Sequence, residues 1–305
     1  MANWQILGVG AIGSLWACYL HKAGHSVELL FRNREALERY RRCGGLTLIT
    51  QGKTEQLYLP GSVVADHGTA AEFLMVTTKA HQTLDALDQS SARLDAHSRL
   101  LLLQNGMGVA ERILERFPTA PLFCGVTTDG AWCPEPFAVV HAGTGETAVG
   151  AFRNGADAQT VTAHLPTRFL TIEACVDIEA RQWRKLAINC AVNGLTVVYR
   201  CRNGALLEYS EAQARMVKLC EEIKEVGIAL GYGDWAADLL GKTEAVIRAT
   251  ADNFNSMYQD IERHRRTEID YLNGYLLQQA KRLGIPCPEN QKLYEEVKRM
   301  EQSYE

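Results

Sequence analysis

The sequence predicts an α/β protein, with an N-terminal Rossmann-type, doubly wound sheet domain followed by an all-helical C-terminal domain. Three observations predict it: short apolar runs alternate with amphipathic segments from Gln5 onward, a glycine-rich turn follows the first run, and strand signals fade after about Ile172 while helical spacing continues. Residues 6–8, 27–31, 73–77 and 100–103 are nearly all apolar, as expected of parallel strands covered on both faces. Crossover helices are expected over 11–23, 34–40, 82–87 and 109–117. Residues 137–141 and 147–152 flank the turn Ala142-Gly143-Thr144-Gly145, which predicts an antiparallel hairpin closing the first domain. Helices are expected over 178–192, 212–229, 236–249, 257–282 and 291–302. The domains then fall at 1–176 and 177–305.

Composition excludes several function classes. With 32 basic and 36 acidic side chains the formal charge is −4, and like charges form no block of five or six. General affinity for nucleic acid or an anionic membrane is therefore not expected. Nine cysteines contain no C-x-x-C pair, which fits neither a zinc site nor a disulfide framework and points to the reducing cytoplasm; no metal is expected. The uncharged stretch 6–20 is cut by three glycines and lacks a basic leader, so neither a membrane span nor a signal peptide is expected.

The sharpest local signal is Gly8-Val9-Gly10-Ala11-Ile12-Gly13, set between a strand and a helix. A dinucleotide site needs the first glycine for a tight turn, the second for close approach to a pyrophosphate and the third for helix–strand packing. The helix that follows offers its unpaired N–H groups to the phosphates. At the end of the second strand, where an NAD site carries an acid, the chain reads Leu30-Phe31-Arg32-Asn33-Arg34, with no acid before Glu35. A guanidinium there suits the 2′-phosphate of NADP; the plain alternative is a solvated arginine opening a helix. Lys79 and Gln82, after the strand at 73–77, are placed to reach the same phosphate or the adenosine, or else are surface side chains.

In the helix at 178–192 and its continuation, Trp183, Leu186, Ala187, Cys190, Ala191 and Leu195 follow helical spacing, yet Lys185, Asn189 and Asn193 recur at i, i+4 and i+8. A lysine is almost never fully buried without a partner, so this stripe faces a polar cavity or the wet edge of a surface helix. On a wheel for 257–282, Glu268 falls inside the apolar arc of Met257, Ile261, Leu272 and Tyr275, and His264 or Arg265 could pair with it structurally. Ser256 and Gln259 form a capping-box pattern at the start of that helix. Asn105 follows the strand at 100–103, where ligands of open α/β sheets collect, although Asn-Gly is also a common turn.

These landmarks together resemble the ketopantoate reductase (2-dehydropantoate 2-reductase) family. The matching segments are GVGAIG at 8–13, LLLQNGMG at 101–108, WRKLAINCAVNGLTVVYRCRNG at 183–204, NSMYQDIERHRRTEIDYLNG at 255–274 and PENQKLYEEVKRMEQSYE at 288–305. The resemblance implies an NADP-dependent oxidoreductase acting on CH–OH groups, one that reduces ketopantoate to pantoate in pantothenate biosynthesis. It implies Lys185 as general acid and Glu268 as its catalytic companion, in contact with the cofactor as well. Asn105 would lie where cofactor meets substrate, and Lys185, Asn189, Asn193, Asn203, Asn253 and Ser256 would hold the substrate. Gly8 to Gly13, Arg32, Lys79, Gln82 and the main chain near Ala131 would hold NADPH. Two other readings stay open: a reductase of a different small 2-oxo acid, and a non-catalytic NADP(H)-binding sensor. An apolar helix face serves either a core or a homodimer contact.

Overall fold

The computed structural model describes residues 1–153 and 156–303. The chain divides into two compact units, Met1–Gln104 with Val109–Arg181, and Asn105–Gly108 with Gln182–Glu305. Among the described residues, no helix is long and apolar enough to cross a membrane.

The first unit runs β1 (Asn3–Leu7), α1 (Ala11–Lys22), β2 (Ser26–Phe31), α2 (Arg34–Arg42), β3 (Leu46–Thr50), β4 (Lys53–Leu57), β5 (Gly61–Val63), β6 (Phe73–Val76), α3 (Thr83–Gln89), β7 (Arg99–Leu102), α4 (Val109–Arg116), β8 (Leu122–Thr127), β9 (Gly130–Trp132), β10 (Ala138–Gly143), β11 (Glu146–Ala151), α5 (Gln159–Thr162) and β12 (Thr171–Ala174). Eight of these strands form one sheet in the order β12-β11-β8-β7-β6-β1-β2-β5. From β5 to β8 every neighbour is parallel; β11 turns antiparallel to β8. Strand β1 has β2 on one side and β6 on the other, so the winding reverses beside its carboxyl end, where open α/β sheets bind ligands. Trp4, Ile6, Leu29, Phe73, Met75 and Leu101 are buried in one core with the α1 face Leu15, Trp16 and Leu20.

The expected hairpin is corrected. Strand β10 pairs with β3 and β9 in a second, four-stranded sheet of order β4-β3-β10-β9, whereas β11 pairs with β8 and β12 in the main sheet. The turn between them carries the chain from one sheet to the other. Alternation and turn residues encode a reversal, but partners are chosen by whichever edge buries the apolar face. Gly145 permits the crossing: a Cβ there would stand 2.4 Å from the Thr128 carbonyl carbon.

The second unit is helical apart from its segment 105–108: most of α6 (Ile178–Val198), then α7 (Ser210–Ala229), α8 (Gly233–Ala236), α9 (Leu239–Ala249), α10 (Ser256–Glu262), α11 (Asn273–Leu283) and α12 (Pro288–Gln302). Its core joins Trp183, Leu186 and Leu195 to Leu219, Ile223, Ile261, Leu276 and Leu293.

The single helix expected over 257–282 is corrected as well. It stops at Glu262, passes through His264 at φ +51° and a short 3₁₀ turn at Ile269–Tyr271, and resumes at Asn273. Asp260 ends the first piece by taking the Arg265 N–H on its carbonyl (2.8 Å) and the Arg265 guanidinium on its carboxylate (3.1 Å). The capping box also moves by one residue. Asn255, not Ser256, is the N-cap, and its side chain accepts the Tyr258 N–H at 3.1 Å, so the Ser256 hydroxyl is not spent on capping.

Candidate active site

The glycine turn has the shape a dinucleotide requires. Gly8 adopts φ +105°, and a Cβ on it would lie 2.6 Å from the Thr78 nitrogen. Thr77, at the end of β6, donates its hydroxyl to the Gly8 carbonyl at 2.5 Å. At Gly13 a Cβ would stand 2.0 Å from that same carbonyl oxygen, which is how closely α1 packs on the turn. Gly10, in contrast, would direct a Cβ into open space at the helix N-terminus, where no side chain caps α1 and no acid occupies its first turn. The donors and the dipole are thus free to meet a pyrophosphate. Gly13→Ala should push α1 off the turn and raise the dissociation constant for a nicotinamide dinucleotide by more than about tenfold, an effect of ~1.4 kcal/mol. Fluorescence titration checks it, and unchanged affinity would dissociate the turn from cofactor binding.

Arg32 is the first residue after β2 and is exposed, immediately ahead of Asn33, which caps α2 by accepting the Ala36 N–H at 2.9 Å. Lys79 is half-buried and Gln82 exposed on the turn after β6, the strand beside β1. Ala131 lies on β9 in the smaller sheet, paired with His141.

In the second unit, Asn105, Asn193, Ser256, Met257, Asp260, Glu268 and Leu272 line one pocket. The segment of Asn105 is held there because Gly106, at φ +84°, passes so close to Tyr271 that a Cβ would lie 2.5 Å from its carbonyl oxygen. The Met107 N–H donates to that oxygen at 3.0 Å. Asn193 and Glu268 are 7% and 6% exposed, so both polar groups have left bulk water. Lys185, two helical turns before Asn193 on α6, is half-buried. Burial pulls its pKa from 10.5 down to about 8, and the negative charge of Glu268 works in the opposite direction. Cys190 on the same helix is buried and its thiol is pushed well above the usual range, which leaves it unreactive packing.

Asn189 is half-buried on α6, one turn from both Lys185 and Asn193. Asn203 and Asn253 are placed differently from the pocket-lining residues. The Asn203 amide donates to Thr250 Oγ1 (2.9 Å) and accepts from Asn255 Nδ2 (3.1 Å), and Asn253 is exposed with its carbonyl taking the Asn203 N–H (3.0 Å). Sequence reasoning passed over Asp260, which lines the pocket at 2% exposure. Its signal was available: a carboxylate at the third position after buried Met257 and beside buried Ile261, on the helix's inner face.

A glycine cradle at the switch point of a parallel sheet in one unit, and a lysine with a carboxylate among amides in the other, are the parts of a nicotinamide-dependent oxidoreductase that acts on a CH–OH group. The profile described as "Ketopantoate reductase PanE/ApbA" matches residues 4–154, and that of its C-terminal part, "Ketopantoate reductase PanE/ApbA C terminal", matches 177–301. The 2-dehydropantoate 2-reductase of Escherichia coli O157:H7 is 36% identical over 301 residues, 98% of this chain and 95% of that relative. Among solved structures, a ternary complex of D-mandelate dehydrogenase with NADH and anilino(oxo)acetate superposes with a TM-score of 0.91 at 26% identity, covering 99% of each chain. A PanE/ApbA family ketopantoate reductase from Ralstonia eutropha JMP134 gives 0.88 at 26% identity, also over 99% of both chains. The chain belongs to the ketopantoate reductase family.

Proposed function

We propose that this protein reduces 2-dehydropantoate to pantoate with NADPH, Lys185 acting as the general acid. Residues 1–176 hold the cofactor and 177–305 carry the substrate and catalytic groups. The observation that carries this reading is the lysine whose amine is brought by burial to about 8 while Glu268 supports its charged form. Hydride addition to a ketone leaves an alkoxide, and a cationic donor both stabilises that charge and surrenders a proton to it. At pH 7 roughly nine in ten such amines are protonated, and release is easier than from an ordinary lysine.

When bound, NADPH supplies the hydride. The residues that hold it are the 8–13 turn, with Arg32, Lys79 and Gln82 toward the adenosine end, and Asn105, Ala131 and Glu268 nearer the reacting end. Asn105, Asn189, Asn193 and Ser256, joined by Asn203 and Asn253, fix the substrate's carboxylate and hydroxyl. Neutral amides orient these groups without adding charge to the site. Arg32 at the end of β2 supports NADPH over NADH, so Arg32→Glu should raise the NADPH Michaelis constant far more than that for NADH. An unchanged preference between the two cofactors would remove Arg32 from the phosphate site. Nine cysteines, none in a disulfide, support residence in the cytoplasm.

The likeness to a D-mandelate dehydrogenase favours one second reading, reduction of a different small 2-oxo acid. Initial rates of NADPH oxidation with ketopantoate beside a panel of aryl and alkyl 2-oxo acids separate the two. Highest kcat/KM on ketopantoate supports the proposal, and a clear preference for another oxo acid replaces it. No oxidation with any of them would favour a binding-only protein.

A further inference from the structure

Glu268 stands at the end of the irregular stretch after α10 and caps the 3₁₀ turn at Ile269–Tyr271, its carbonyl accepting the Tyr271 N–H at 2.9 Å and the Leu272 N–H at 3.1 Å. Its neighbours are fixed from outside by α12. Thr267, fully buried, donates both its N–H (2.7 Å) and its hydroxyl (2.6 Å) to one carboxylate oxygen of Glu301, and its Oγ1 accepts the Ile269 N–H at 3.2 Å. The other Glu301 oxygen pairs with Lys298 at 2.7 Å. Lys298 also reaches Asp270 at 3.2 Å, where Tyr294 donates its hydroxyl (2.8 Å) and Arg266 pairs (2.8 Å). Tyr294, Lys298 and Glu301 recur at i, i+4 and i+7, one face of α12. That face grips the residue before Glu268 and the second residue after it.

We infer that Glu301 is a positioning residue for the reaction: its carboxylate clamps Thr267 and thereby sets where Glu268 stands in the pocket. The inference deepens the proposed function and rests on its reading of Glu268 as the companion of Lys185. Bonds to an ionised carboxylate are the strong kind, and removing it leaves a buried N–H and a buried hydroxyl without their acceptor. The irregular segment then relaxes, and the support that Glu268 gives the Lys185 ammonium weakens. Of the other charged groups of this stretch, Glu262, Arg263, His264, the Asp260–Arg265 pair and the Arg266–Asp270–Lys298 set are all retained, while Lys298 loses its pairing with Glu301.

The test uses the full-length protein with Glu301→Ala, Glu301→Gln and Glu268→Gln, singly and combined. It reads the pH dependence of kcat/KM for ketopantoate with NADPH and amide exchange over 266–271. Glu301→Ala is expected to lower kcat about tenfold, within the ~10² that a misplacement of about 1 Å can cost, with the NADPH Michaelis constant changed less than about twofold. It should move the alkaline limb to lower pH and speed exchange at Thr267. Glu301→Gln, which keeps an acceptor oxygen, should restore most of the loss. Adding Glu301→Ala to Glu268→Gln should move the limb no further. A folded Glu301→Ala protein with faster exchange and an unmoved limb overturns the inference, as does a limb shift that adds fully to that of Glu268→Gln. If Glu301→Ala does not fold, Thr267→Val decides, with a smaller shift in the same direction expected and no shift contradicting. Wild-type protein inactive on every oxo acid would sink the functional reading instead. The clamp would then be read from Thr267 exchange and from direct titration of the Lys185 amine by NMR, both of which move if Glu301 positions Glu268.

Discussion

Replacing Lys185 with alanine is expected to lower turnover on ketopantoate by roughly 10² to 10⁴-fold, the range typical of a missing general acid. The alkoxide formed by hydride addition would then have to be stabilised by neutral amides and protonated by water. NADPH affinity, assigned under the proposal to the glycine turn and Arg32 of the other unit, should change little. Because the lost interaction is made chiefly in the transition state, the fall should appear in kcat and in kcat/KM together. The protein should still fold, since removing a half-buried amine relieves the cost of its desolvation. Stopped-flow measurement of NADPH oxidation in a folded variant checks this, and near-normal turnover would exclude the role.

Glu268→Gln has the second-largest expected effect, about 10 to 10²-fold in kcat, with a pH signature that fixes its cause. Burial lowers the Lys185 pKa and the Glu268 charge raises it, so replacing the carboxylate by a neutral amide leaves burial unopposed. The folded-state pKa then falls below about 8. With Lys185 as the proposed general acid, reduction needs the protonated amine, so the alkaline limb of the rate profile should move to lower pH and the loss of activity should grow as pH rises. A limb that moved upward, or an effect confined to the NADPH Michaelis constant, would make Glu268 chiefly a cofactor contact.

What the sequence disclosed was local. Gly8, Gly10 and Gly13 were legible because their spacing falls within six residues of one turn, and the stripe of Lys185, Asn189 and Asn193 because α6 is one unbroken helix whose spacing repeats. The smaller sheet was less legible. Leu46 and Leu48 are buried where β3 alternates before the Gly52 turn, but two short strands reveal nothing about a partner as distant as β10. The hairpin expectation failed for the same reason. Glu268 was singled out as a buried carboxylate by a helical wheel that does not exist: its burial comes from an irregular segment tied to a helix 34 residues further along the chain. Periodicity cannot register such a tie, since Thr267, Asp270 and Glu301 each look like ordinary polar residues until α12 packs beside them.

The pH profile of kcat/KM for ketopantoate reduction by the unmodified protein tests the central claim most directly, because that parameter reports the ionisations of the free enzyme. An activity that declines through an alkaline limb near pH 8, and loses that limb in Lys185→Ala, is the predicted result. A profile flat to the ordinary lysine range near 10.5, or a limb near 8 that survives the substitution, would contradict it.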